Sequence, residues 1–304
     1  MKKINPSQII GKLRIYMYSK FKKNKFLFIG LVSILLLSLS IVDSSMANQP
    51  NVTSNSTNNT SLKHIKTTNS YSVTVIDNNT GGNVSQNRAF MQYIPNTELN
   101  NEIVAAAENG TPMVTFGNGS QPHVMITAGV HGAELPSQIA AIKLINDLST
   151  TKIEGTIYII PIVAPYDTAA NTRLYHGQNL NIITRTPGSP TNIIIQTAVK
   201  NNVTYLGDFH SSQPNDVPGK NCVLYYSTNS SYNLSKYVAN NTNVPLIQIT
   251  PYPGLETTVS ETDGINSFTC EVLSPHGTVQ NGSSELAYQY MVSYLKFTGF
   301  LNMN

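Results

Sequence analysis

From about residue 110 to the C-terminus, short apolar runs alternate with helix-length segments, and this alternation most narrows the folds open to the chain. Residues 113–116, 123–127, 156–163, 204–209, 223–226, 246–250 and 267–273 read as strands. Pro136 to about Leu148, 191–200, 231–240 and 283–296 read as helices. In the first of these, Leu135, Ile139, Ile142 and Ile145 fall near one face; in the last, Leu286, Tyr290 and Tyr294 do. Residues 156–163 form the most apolar run and are expected to be central in a sheet. Residues 117–120 have the composition of a hairpin-like turn between the first two runs. Upstream, residues 71–76 alternate like a first strand, and Thr97 is placed to cap a helix over 98–108. Residues 165–190 and 251–265 lack long periodic segments and are expected to be loops. A loop as long as 165–190 inside a compact domain is usually functional. The pattern specifies one α/β domain.

Four chemically competent residues stand at or near the ends of these runs. His131 and Glu134 lie in Gly129-Val130-His131-Gly132-Ala133-Glu134, between run 123–127 and the helix opened by Pro136. His210 follows run 204–209, and Glu271 lies inside run 267–273. Open α/β sheets bind ligands beyond the carboxyl ends of their strands, so these positions can converge. Two imidazoles and one carboxylate hold a catalytic zinc and leave a position for water. A further carboxylate can take a proton from that water. Singly, each has a blander reading. A histidine at a strand end is often just a satisfied polar residue, and Glu134 suits a helix N-terminus. Glu271, flanked by Cys270 and Val272, is harder to dismiss, because a carboxylate in an apolar strand needs a partner or a function.

These stretches resemble the zinc carboxypeptidase superfamily, specifically its succinylglutamate desuccinylase/aspartoacylase-like branch. The resemblance is carried by 127–134, Ile160-Pro161-Ile162-Val163-Ala164-Pro165, Arg173 through Pro187-Gly188, Asp208-Phe209-His210 and Cys270-Glu271-Val272, and it covers roughly residues 110–300. It implies an α/β/α sandwich around a mixed, mostly parallel twisted sheet in a single catalytic domain. It also implies one zinc ion on His131, Glu134 and His210, with Glu271 as general base. Arg173 matches an arginine that stabilises the oxyanion and binds substrate, and Asn181 matches a substrate-binding asparagine. The arginine that follows that asparagine in the family is replaced by Ile182; Arg185, three residues on, stands as a substitute. Ala164 replaces a usual asparagine. Asp208 and His276 are candidates to orient ligands.

The formal net charge of +3 does not point to nucleic acid. Residues 1–47 hold seven lysines and Arg14 against Asp43 alone, which leaves 11 basic and 15 acidic side chains in the remainder. The basic stretch to Lys25 precedes an uncharged apolar run over 26–42, near the lower limit of about 17 residues for a spanning helix. Residues 1–47 therefore read as a basic N-terminus plus a signal peptide or membrane anchor, 48–70 as a flexible polar linker, and 71–304 as the catalytic domain. Asn-x-Ser/Thr triplets at Asn51, Asn55, Asn78, Asn202, Asn229 and Asn281 would permit glycosylation outside the cell. The expected protein is a secreted or surface-displayed amide hydrolase. Its substrate would be a peptide or N-acyl amino acid with a free carboxylate, a cell-wall peptide included. The competing expectation is a surface binding protein that keeps the metal and has lost catalysis.

Overall fold

The structure is a computed structural model and describes residues 69–226, 229–250 and 256–301. The N-terminal targeting segment expected over 1–47, and the linker as far as residue 68, lie outside the described residues. No helix among the described residues is long and apolar enough to cross a membrane.

In chain order the elements are β1 (Tyr71–Asp77), α1 (Arg88–Met91), α2 (Glu98–Asn109), β2 (Thr111–Gly117), β3 (His123–Ala128), α3 (Leu135–Leu148), β4 (Thr156–Ile160), α4 (Pro165–Ala170), α5 (Pro190–Lys200), β5 (Tyr205–Ser212), β6 (Cys222–Tyr225), α6 (Asn229–Thr242), β7 (Leu246–Gln248), α7 (Glu256–Thr262), β8 (Asn266–Leu273) and α8 (Ser283–Phe297). All eight strands form one mixed sheet in the order β1-β2-β4-β3-β5-β8-β6-β7. The β3/β4, β3/β5, β5/β8 and β6/β7 pairings are parallel, whereas β1/β2, β2/β4 and β6/β8 are antiparallel.

Side-chain alternation along the strands builds two cores. Val124, Ile126, Phe209, Phe268 and Val272 face α2, α3, α6 and α8. Met125 and Leu206 face the other way, toward Ile194 and Ile195 of α5 and Val259 of α7. The result is an α/β/α sandwich. Local chemistry agrees with the helix starts: Thr97 Oγ1 accepts from Asn100 N at 3.2 Å, and Ser189 Oγ from Asn192 N at 3.3 Å.

Two expectations are corrected. β2 and β3 do not form a hairpin, because β4 lies between them, antiparallel to β2 and parallel to β3. The reason is burial: every residue of β4 is buried, so both its edges must be paired. Segments 165–190 and 251–265 are not wholly loops, since they contain α4 and α7. The sequence Glu-Thr-Thr-Val-Ser-Glu-Thr is a poor intrinsic helix former without an apolar stripe. Residues 256–260 are nevertheless all buried, so tertiary packing supplies what local propensity lacks.

Candidate active site

The carboxyl ends of β3, β5 and β8 bring the four residues to one place. β3 runs into a turn at Gly129, whose φ of +74° is the left-handed region that glycine occupies without strain. The turn is tied down from several sides. Gln138 Nε2 donates to Gly132 O at 2.9 Å, and Gln138 Oε1 accepts from Thr168 Oγ1 at 2.9 Å. Ala133 N donates to Thr172 O at 2.8 Å, and Gly277 N donates to Ala133 O at 2.7 Å. His131 and Glu134 are thereby fixed before α3 begins.

Donor atoms of His131, Glu134 and His210 lie within 4.8 Å of one another, and all three residues are buried. The two Glu134 oxygens face the two imidazoles: Oε1 is 2.7 Å from His131 Nδ1, and Oε2 is 2.8 Å from His210 Nδ1. Ser211 N donates to the same Oε2 at 3.1 Å. The far nitrogens are held as well. His131 Nε2 is 2.9 Å from Asn179 Oδ1. His210 Nε2 is 2.9 Å from Asp208 Oδ2, close enough for an ionic contact but without the alignment of a hydrogen bond. Each imidazole thus turns Nδ1 inward and Nε2 onto an acceptor, which is how metal-ligating histidines are oriented. The donor set and its convergence fit one divalent ion.

Burial alone would push the Glu134 carboxyl up, yet the His131 and His210 rings and their hydrogen bonds hold it well below the usual carboxylate range. His210 shows the opposite balance. Burial would lower it, but Asp208 and Glu134 raise it well above the usual histidine range. Glu271 sits in register beside His210 on the neighbouring strand. Burial, helped by Glu134 and Asp208 and opposed by His210 and Arg173, pushes it up to about 8. Its Oε2 is buried without a hydrogen-bond partner. A cation between the imidazoles would draw Glu271 back down.

A cavity of about 520 Å³ opens over this cluster, and Arg173, Asn181 and His276 lie on its wall. Arg173 Nε is 3.4 Å from Glu134 Oε1, and His276 Nε2 is 3.8 Å from the same oxygen. Asn181 Oδ1 is buried without a partner. Arg185 is not on the wall: its Nη2 donates to Thr262 Oγ1 at 3.2 Å. The expected substitution of Arg185 for the family's missing arginine is therefore not seen. That side chain leaves from a later turn of the 180–186 segment and points to α7.

Sequence reasoning missed Asn179. Its Oδ1 faces His131 Nε2 and also accepts from Asn181 N at 3.0 Å, so one atom ties a candidate metal ligand to a candidate substrate residue. The Asn179-Leu180-Asn181 spacing, two amides either side of an apolar residue, was the available signal. Gln138 and Glu256 were missed too, because nothing in a helical glutamine or an isolated loop glutamate announces burial.

Residues 120–216 match the family model of the Succinylglutamate desuccinylase/Aspartoacylase catalytic domain. Similar solved structures include a succinylglutamate desuccinylase from Silicibacter sp. TM1040, with 17% identity and a TM-score of 0.54 over 65% of this chain and 64% of that one. A succinylglutamate desuccinylase/aspartoacylase from Rhodobacter sphaeroides has 20% identity and a TM-score of 0.53 over 64% of this chain and 60% of that one. The product-bound Ectoine utilization protein EutE (DoeB) from Ruegeria pomeroyi has 18% identity and a TM-score of 0.55 over 65% and 64%. This chain therefore spans just under two thirds of each of these proteins. No curated protein sequence matches it. The structures establish the shared fold, and the family-model match over residues 120–216 is to the catalytic domain of succinylglutamate desuccinylases and aspartoacylases.

Proposed function

We propose that this chain is an extracellular hydrolase of an amide bond, of carboxypeptidase or N-acyl amino acid deacylase type, working with one zinc ion. The observation that carries the reading is the convergence of His131, Glu134 and His210 within 4.8 Å, with Glu271 in register beside His210. His131, Glu134 and His210 would hold a zinc ion, which when bound would supply Lewis acidity toward a water and the scissile carbonyl. Glu271 accepts the proton of the attacking water and delivers it to the leaving amine. Arg173, on the cavity wall, stabilises charge on the carbonyl oxygen and pairs with a substrate carboxylate. The Asn181 side-chain amide adds a second polar contact. Asn179 and Asp208 keep His131 and His210 turned inward throughout. Export is supported by the basic stretch to Lys25 and the uncharged run over 26–42. Membrane attachment follows if that segment is retained. Cell-wall peptides and N-acyl amino acids with a free carboxylate are the substrates to try.

The test is amine release by the purified zinc-loaded protein from panels of both substrate types, with and without a chelator. Glu271→Gln is run alongside, its zinc content measured. Turnover should need the metal, and Glu271→Gln should lose at least about a hundredfold in kcat while keeping one zinc. Full turnover by Glu271→Gln, or no amine released from any substrate by the parent, would refute the proposal.

A further inference from the structure

The cavity has two chemically different ends. One is the polar cluster around Glu134. The other is an aliphatic shelf formed by Leu224 of β6, Ile247 of β7 and Ile249 just beyond it. The shelf follows from strand alternation. Val223 and Leu246 point into the helical core on one face of the sheet, so Leu224 and Ile247 point to the other. Leu224 and Ile247 are register partners, and Leu224 is also opposite Thr269 on β8, two residues before Glu271. Thr269, Glu271, Leu224 and Ile247 therefore share one face, and the shelf begins beside the proposed proton acceptor. Leu224 is 8% exposed and stands on the cavity wall.

Charge on the wall is just as uneven. Among the described residues Arg173 is its only lysine or arginine, and Arg185 is turned away onto Thr262. Asp216 stands on the wall together with Leu224, Ile247 and Ile249. A substrate with one carboxylate can pair it with Arg173. A second carboxylate would have no arginine or lysine to meet and would be desolvated against the aliphatic shelf, with Asp216 on the same wall.

Resting on the hydrolase reading, we infer that the substrate is an amide carrying one carboxylate and an uncharged aliphatic or aromatic side chain seated on the Leu224–Ile247–Ile249 shelf. Dicarboxylic N-acyl amino acids are disfavoured. The site discriminates by apolar contact on one side and by a single guanidinium on the other.

The experiment compares N-acetyl-L-leucine and N-acetyl-L-phenylalanine with N-acetyl-L-aspartate and N-succinyl-L-glutamate on the full-length zinc-loaded protein. Turnover is measured on the parent, and calorimetric binding on Glu271→Gln. Leucine and phenylalanine compounds should exceed the dicarboxylates by about tenfold or more in kcat/KM and in affinity. Ile247→Arg, at a half-buried edge-strand position, should shift the leucine-to-aspartate ratio toward aspartate. Equal or better handling of the dicarboxylates would overturn the inference and leave the hydrolase reading standing. Preferential binding of the leucine compound with no turnover of these compounds or of the peptide panel would overturn the hydrolase reading and leave the shelf. Neither binding nor turnover, with the peptide panel also inert, would overturn both.

Discussion

Glu256 Oε1 lies 3.1 Å from Thr127 Oγ1, the same hydroxyl that stands 3.2 Å from Asp208 Oδ1. Both carboxylates are fully buried, and one hydroxyl hydrogen cannot fully satisfy both. Burial first, and the neighbouring Asp208 second, push Glu256 well above the usual carboxylate range; His210 and the Thr127 bond pull the other way. Glu256, with its raised carboxyl, lies behind the residue that faces His210 Nε2.

A neutral isostere should therefore replace Glu256 well. Glu256→Gln is expected to stay within about 1 kcal/mol of the parent at pH 7 and to bind zinc with unchanged affinity. Glu256→Ala leaves a cavity and one acceptor fewer around Thr127, and should cost about 2–4 kcal/mol with weaker zinc binding. Urea unfolding and chelator competition on both variants check this. Equal losses in Gln and Ala would mean that a charged Glu256 is what the site needs.

Asp167 offers a pH prediction. It is fully buried, neither side-chain oxygen has a hydrogen-bond partner, and burial raises it from 3.8 to about 7. Below pH 4 the folded and unfolded chains both hold this proton, and it does not affect stability. Between pH 4 and 7 the unfolded chain releases the proton while the folded chain keeps it, so stability falls as pH rises and levels off above 7. At about 1.4 kcal/mol per unit the loss reaches at most about 4 kcal/mol. Asp167→Asn should remove it, giving a variant more stable than the parent at pH 8 and nearly equal to it at pH 4. Parallel stability curves for the two proteins would contradict the assignment.

What could be read from the sequence, and what could not, divides along physical lines. The convergence of His131, Glu134 and His210 was legible because a strand end fixes where a side chain goes, and apolar runs mark strand ends. β4 was legible as a strand, but its neighbours were not: pairing order depends on which edges remain free, and local composition does not record that. α7 escaped because its helicity is imposed by packing. Asn179 and Asn181 look alike in sequence, yet one faces His131 and the other the cavity, a difference set by turns across 175–184 that no periodicity reports. Arg185 shows the limit of spacing: three residues along an irregular segment sent its guanidinium to Thr262.

Gly132 is glycine for space. A Cβ there would sit 2.2 Å from the backbone C of Asp167 and 2.2 Å from the N of Thr168. Backbone atoms at the start of α4 cannot yield as a flexible side chain would. Gly132→Ala should therefore push the 131–134 turn away from α4, costing about 1–3 kcal/mol. His131 and Glu134 flank the site, so zinc affinity should fall together with stability. Thermal unfolding with and without zinc measures both. A variant that unfolds earlier but keeps the full zinc-induced shift would separate the turn's packing from the metal site.

Arg173 and Arg185 lie twelve residues apart in one loop but should behave as unrelated residues. Arg173 Nε faces Glu134 Oε1 at 3.4 Å across the cavity mouth, its side chain about one-third exposed. Removing it takes away the only arginine or lysine that the described residues place on the wall, so Arg173→Ala should lower kcat/KM by about 10²–10³-fold, as expected for loss of an oxyanion donor. Arg173→Lys should recover only part of this, because an ammonium cannot pair bidentately with a carboxylate. Arg185 makes one solvent-exposed contact with Thr262, so Arg185→Ala should leave kcat/KM unchanged and stability within about 0.5 kcal/mol. Steady-state kinetics on the three variants decides the matter. A loss in Arg185→Ala comparable to that in Arg173→Ala would mean the 180–186 segment swings its guanidinium into the cavity when substrate binds.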